Sequence, residues 1–191
     1  MEITGIILLV VLIVVIVYFV MVYNQLVQVK HNVSKAWANI DVLLKQRHDE
    51  LPKLVETCKQ YMKFEQDTLV RVMEARSQVS NARESQNIGA LGQAEGELRG
   101  AVGKLFAVAE AYPDLKTNET FQHLQTRISS LENGIADRRE FYNESVNVNN
   151  VRIEQFPDSI VAALFSFRPM QLLKFSTQET ADVDVRQLFQ T

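Results

Sequence analysis

The chain has 191 residues, 47% of them hydrophobic, and 20 Lys and Arg against 23 Asp and Glu give a net charge of -3. That length suits one domain plus an attachment. The absence of any basic block argues against a nucleic-acid partner, and the single cysteine, Cys58, excludes an internal disulfide.

The first predicted element is a membrane span. No charged residue occurs from Ile3 to Val29, and every residue from Ile6 to Val22 is apolar, counting Tyr18 as an interfacial aromatic. Such a run rises about 26 Å as a helix and with its flanks reaches the roughly 30 Å of bilayer hydrocarbon. A bundle helix in water would show a polar position in every turn. A cleaved signal peptide fits less well, because Met1-Glu2 carries no Lys or Arg, the apolar run is too long and no A-x-A-like site follows it. The flanks set the orientation. Glu2 offsets the α-amine on one side, while Lys30, Lys35, Lys45 and Arg47 lie on the other, so the positive-inside rule puts the short N-terminus outside and the rest in the cytoplasm.

Beyond the span, Leu26, Val29, Val33, Ala36/Trp37, Ile40 and Leu43/Leu44 advance by threes and fours, with no Gly or Pro from Ile6 to Leu51. The pattern predicts one continuous helix, half in lipid and half in a soluble core. Pro52 then predicts a kink or, preferably, a reversal into a second helix carrying Leu54/Val55, Cys58, Tyr61/Met62, Leu69, Val72/Met73 and Val79. That helix is expected to fray in SNARESQNIG. A third helix, about Leu91 to Tyr112, holds Leu91, Leu98, Ala101/Val102, Leu105 and Val108/Ala109 on one face. Its Gly92, Gly96 and Gly100 share another face. They mark either a loosely built helix held by packing, the preferred reading, or a groove for a close neighbouring helix. Pro113-Asp114 stops it, and Asn118 is placed to cap a fourth helix containing Phe121, Leu124, Ile128, Leu131, Ile135, Phe141/Tyr142, Val148, Ile153 and Phe156. After Pro157, DSIVAALFSFRP is an apolar patch that closes the bundle or lies on the membrane. The expected class is all-α: a single N-terminal transmembrane helix continuing into an antiparallel four-helix bundle, with an anchor at 1–24, a bundle at 25–168 and a C-terminal tail at 169–191 expected to be disordered.

Little of this spells out chemistry. A di-iron bundle wants two E-x-x-H motifs, and none of His31, His48 and His123 follows a Glu by three. Glu119 and His123, four apart, suit a solvated surface pair better than a ligand set. Cys58 lies on an apolar face, where cysteine behaves as a small hydrophobe. Trp37 reads as a packing anchor. No phosphate loop, G-x-S-x-G or H-E-x-x-H occurs. The densest polar group, Arg138, Arg139, Tyr142 and Asn143, either bridges carboxylates within the bundle or presents a partner-binding surface. No cofactor or metal is implied.

The stretches YNQLVQVKHNVSKAWANIDVLLKQRHDELPKLVETCKQY, AVAEAYPDLKTNETF and FYNESV, followed by FP, resemble the LemA family of bacterial membrane proteins, over about Tyr23 to Phe167. The resemblance implies an antiparallel four-helix bundle on a single-pass anchor in the inner membrane, with the bundle cytoplasmic and no established enzymatic activity. Departures from the family pattern are Leu51-Pro52-Lys53 in place of Ile-Pro-Asn, Phe64 where His is common, and Asn149-Asn150 in place of Tyr-Asn. The leading expectation is a non-enzymatic scaffold or adaptor whose partners are the lipid bilayer, copies of itself as a homo-oligomer, or another protein. A metal-binding bundle enzyme or accessory and a membrane-remodelling protein are the alternatives.

Overall fold

A computed structural model describes residues 2–174, and among these the protein is all-helical. Four helices are long: α1 (Glu2–Lys59), α2 (Gln66–Glu84), α3 (Ile88–Ala109) and α5 (Glu119–Glu154). Two are short, α4 (Pro113–Lys116) and α6 (Asp158–Leu164). The contacts divide the chain into two units, each supplied by part of α1 and part of α5.

The first unit contains Met1–Val42 and Ile135–Leu172. Its part of α1 changes character within one turn. Leu8 is 72% exposed and Met21 51%, whereas Val22 is 4% exposed and Leu26 1%. From Val22 onward, Leu26, Val33, Ala36 and Ile40 form a buried stripe at helical spacing. Val22 and Leu26 make one apolar cluster with Ile153 of α5 and Val161 and Ala162 of α6, flanked by Phe19 and Phe167. Trp37 meets Tyr142 edge to face with centroids 5.8 Å apart, and Arg152 reaches Gln25, so α5 runs antiparallel to α1 here. Arg152 also pairs with buried Asp158 at 3.1 Å, fixing the start of α6. Each fully buried Leu or Ile in such a cluster contributes about 1.5–3 kcal/mol.

The second unit contains Leu43–Gly134 and the chain from Leu173. Leu44, Leu51 and Leu54 of α1, Leu69 and Val72 of α2, Leu91, Leu98 and Leu105 of α3, and Phe121 and Ile128 of α5 are buried in it. α2 packs along α3 as an antiparallel pair. The connection is only three residues, with Gln86 at φ 52 and the Asn87 side chain capping α3 at Ala90 N. SNARESQNIG therefore does not fray: α2 persists to Glu84 and α3 begins at Ile88, ending at Ala109 rather than Tyr112. Asn118 caps α5 as expected, its Oδ1 accepting from Phe121 N at 3.0 Å while its Nδ2 donates to Tyr61 Oη.

The reversal expected at Pro52 is not there. α1 passes through Pro52 to Lys59, and the chain turns at residues 60–65, so Leu54, Val55 and Cys58 belong to the first helix. Proline removes the N–H that would bond the carbonyl four residues back, that of His48. A guanidinium replaces it: Arg76 Nε donates to His48 O at 2.9 Å, and Arg76 Nη2 lies 2.6 Å from His48 Nε2. Arginine can only donate, so that ring nitrogen accepts, and burial together with Arg76 holds the imidazole below its usual pKa. Arg76→Ala should therefore cost about 1–3 kcal/mol by leaving half-buried acceptors unpaired. It should cost less in a Pro52→Ala background, where residue 52 again donates to His48 O. A double-mutant cycle by thermal unfolding measures that coupling, and strict additivity would contradict it.

Candidate functional site

The four polar residues predicted as a group do not share one surface. Arg138 is exposed, while Arg139 and Asn143 are half-buried and engaged in interactions of their own. Tyr142 is only 4% exposed. Its hydroxyl donates to the Gln171 carbonyl at 3.0 Å, and burial raises its pKa and keeps the phenol a donor. Tyr142 continues the buried progression Ile135, Tyr142, Val146, Ile153, a spacing of sevens and fours that assigns it to the core.

Helix α6 gives the first unit a distinct outer face. Val161 and Ala162 point into the core, but Phe156, Ile160, Leu164 and Phe165, spaced by four, four and one, remain 53–77% exposed. Phe165 lies 4.7 Å from Tyr23 between ring centroids, and Phe167 lies 6.0 Å from the same ring. The patch thus adjoins the end of the exposed apolar run of α1. Above it, the Lys30 ammonium sits 6.0 Å from the Phe167 ring centroid. Apolar side chains, then aromatics, then a cation follow one another in the order of a membrane–water interface. Residues 169–172 continue this surface. Asn150 Oδ1 accepts from Met170 N and its Nδ2 donates to Met170 O, both at 2.9 Å. The disorder expected for the tail falls, from Phe175 on, outside the described residues.

The second unit contains a charge cluster that the sequence reading missed. Arg47 and Glu95 are each 2% exposed and form a salt bridge across 48 residues of sequence. Half-buried Glu132 completes the cluster; its Oε1 and the Arg47 Nε have no hydrogen-bond partner among the described residues. The signal was present. Arg47 interrupts Ile40, Leu44, Leu51 and Leu54, and Glu95 interrupts Leu91, Leu98, Val102 and Leu105, each at a core position. Two opposite charges on apolar stripes predict a buried pair. Desolvation raises the Glu132 pKa above its ordinary 4.5, outweighing Arg47 and Arg99, which lower it. The folded state then binds this proton more tightly than the unfolded chain does. Stability therefore falls as pH rises from 4.5 through the folded pKa. Glu132→Gln is expected to remove that decline and to make the protein more stable than wild type above the window. Denaturation at several pH values checks this, and an unchanged pH slope would contradict it.

Gly92 has a role different from either expectation. A Cβ there would come within 3.0 Å of the Lys174 carbonyl carbon and collide with its oxygen, so the close neighbour is the chain after α6 rather than a helix. Leu173 beside it is 1% exposed. Gly92→Ala should undock this segment, costing about 1.5–3 kcal/mol and opening it to protease. Gly100→Ala meets open space and should be neutral or stabilising by up to about 1 kcal/mol. Equal behaviour of the two variants in proteolysis and melting would refute the assignment.

Among the described residues, the groups considered for chemistry do not come together. Burial pushes the Cys58 thiol up to about 12, which keeps it protonated. His31, Glu119 and His123 are exposed, and no group of three His, Cys, Asp or Glu converges on one point among the described residues. A groove of about 960 Å³ between the end of α1 and α2, lined by Val55, Met62, Leu69 and Met73 among others, is apolar with Lys and Glu on its rim.

Comparison with known proteins agrees with the family resemblance. The LemA family model matches residues 36–186. The chain is similar to magnetosome protein MamQ 2 of Paramagnetospirillum magneticum, with 24% identity over 89% of this chain and 71% of the relative. Magnetosome protein MamQ of Magnetospirillum gryphiswaldense is 23% identical over the same shares. Protein LemA of Metamycoplasma hominis is 29% identical over 95% of this chain and 83% of its own length.

Proposed function

We propose that this chain, which belongs to the LemA family, is a membrane-anchored, non-enzymatic scaffold or adaptor at the cytoplasmic face of a bacterial inner membrane. It crosses the bilayer once through α1, with its short N-terminus outside, and presents an antiparallel four-helix bundle. One observation carries the reading: α1 is unbroken where exposed hydrocarbon gives way to packed core, between Met21 and Val22. A flexible linker would let a folded part wander around its anchor. A continuous helix whose next turns are already locked against α5 and α6 holds the first unit at a fixed height and tilt. That suits a platform for other proteins better than a tethered catalyst. The family and relative names are not those of enzymes, which is consistent with this. The apolar run has no GxxxG and no polar residue, so self-association would run through the helices outside the membrane.

Protease protection of a C-terminal tag in right-side-out membranes tests the placement. Protection is expected, and digestion would move the bundle outside and overturn the positive-inside argument. Insertion of a Gly-Ser linker after Met21 tests the coupling: it should abolish complementation of a deletion strain while leaving membrane insertion intact, and full complementation would refute the scaffold reading.

A further inference from the structure

Two depressions on the first unit share Tyr23 and Phe165, and we propose that together they hold one anionic phospholipid. The lower, about 420 Å³, is walled by Val15, Ile16, Phe19, Val20, Tyr23 and Phe165. Four of these belong to the apolar run, so the groove opens at the depth of acyl chains. The upper, about 540 Å³, has Lys30, His31 and Arg168 in its wall together with Asn149 and Ser166, and no carboxylate. Lys30 and Arg168 are basic side chains that donate hydrogen bonds to phosphate oxygens.

The vertical spacing matches a lipid. Tyr23 to Lys30 is seven residues of helix, about 10 Å, and the headgroup layer is roughly 5–8 Å deep on each side of the hydrocarbon. A lysine on a flexible stem reaches back over that difference. The 4.7 Å Tyr23–Phe165 contact separates the two compartments at the level where glycerol esters lie. A free anion would use only the upper compartment and a lipid without a phosphate only the lower, while a zwitterionic lipid would bring its own cation against Lys30 and Arg168. An acidic amphiphile with a phosphate above and a chain below uses both. Exposed Ile160 and Leu164 of α6, with Phe156 just before it, lie beside the site and keep it facing the bilayer. The inference rests on the membrane-anchored reading and adds a specific headgroup preference to it.

The test uses the full-length protein, delipidated in neutral detergent, with lipid binding followed by native mass spectrometry. Phosphatidylglycerol and phosphatidylcholine of identical chains are compared, with glycerol phosphate as the free headgroup. One bound phosphatidylglycerol is expected at roughly thirtyfold preference over phosphatidylcholine, as two basic groups facing a net negative headgroup instead of a zwitterionic one would give. Lys30→Gln with Arg168→Gln should reduce that preference to near one, with helicity unchanged. Phe165→Ala should weaken both lipids alike. No preference in the wild type, or an undiminished one in the double variant, would overturn the site. Glycerol phosphate binding as tightly as the lipid would also overturn it, leaving an anion pocket only. Co-flotation with liposomes separates the two readings. Failure to float refutes the anchor and the site together, whereas flotation without headgroup preference refutes the site alone.

Discussion

Arg47→Ala is expected to destabilise the protein by about 3–5 kcal/mol, while Arg47→Met combined with Glu95→Leu should leave it as stable as wild type or up to about 4 kcal/mol more stable. The asymmetry follows from burial. Both partners are 2% exposed, so removing Arg47 leaves the Glu95 carboxylate in the interior without its counter-charge, beside a second carboxylate at Glu132. Glu132 would be driven further towards its protonated form, recovering part of the loss. The intact pair is itself expensive. Two charges have left water, and among the described residues Arg47 Nε and Glu132 Oε1 have no hydrogen bond to offset this. Replacing the pair with packed hydrocarbon removes the desolvation cost, and the flanking Leu44, Leu51, Leu91 and Leu98 supply matching apolar surface. For a chain of this size the single variant should lower Tm by roughly 6–20 °C. Circular dichroism of the detergent-solubilised protein measures this, and a single variant within about 1 kcal/mol of wild type would sink the account. A double variant as unstable as the single one would show that the pair contributes more than compensation.

The second large effect concerns the apolar run. One arginine at Ile13 should leave the protein in the membrane, whereas arginine at Val10, Val14 and Val17 together should release it. On insertion scales the run from Ile6 to Val22 contributes about −5 to −10 kcal/mol at roughly −0.3 to −0.6 per residue. A central arginine costs about 2.5–3.5 kcal/mol, so a single one is outweighed. Three cost about 7.5–10.5 kcal/mol and also forfeit three favourable residues, bringing the balance to zero or above. Carbonate extraction of membranes reads the result directly. Retention of the triple variant would mean that α6 and the flanking Phe156 and Phe165 suffice for attachment. Loss of the single variant would mean that the run does not insert as a simple span.

The buried stripes of α3 and of the first part of α1 were legible because helical periodicity is a local property that packing here obeys. The Asn118 cap was legible for the same reason: its side chain satisfies an N–H only three residues away. Pro52 was misread because its local meaning, an orphaned carbonyl at His48, is cancelled by Arg76, 28 residues distant. Tyr142 was grouped with Arg138, Arg139 and Asn143 by adjacency in sequence, but its ring lies on the buried α5 stripe of Ile135, Val146 and Ile153, while Arg138, four residues earlier and about 40° around the helix, lies at the margin of that stripe and is exposed.

The sequence by itself determined that the protein is helical and where its apolar run lies, because both depend on side chains within a few turns of one another. It also determined the family, through long runs such as AEAYPDLK. Only the tertiary structure decided that α1 continues past Pro52, that Gly92 makes room for the Lys174 carbonyl, and that Arg47 and Glu95 meet. Each of those outcomes depends on which distant group arrives to satisfy a donor, an acceptor, a charge or a void. Local periodicity carries no information about that choice; the packing of one element against another makes it.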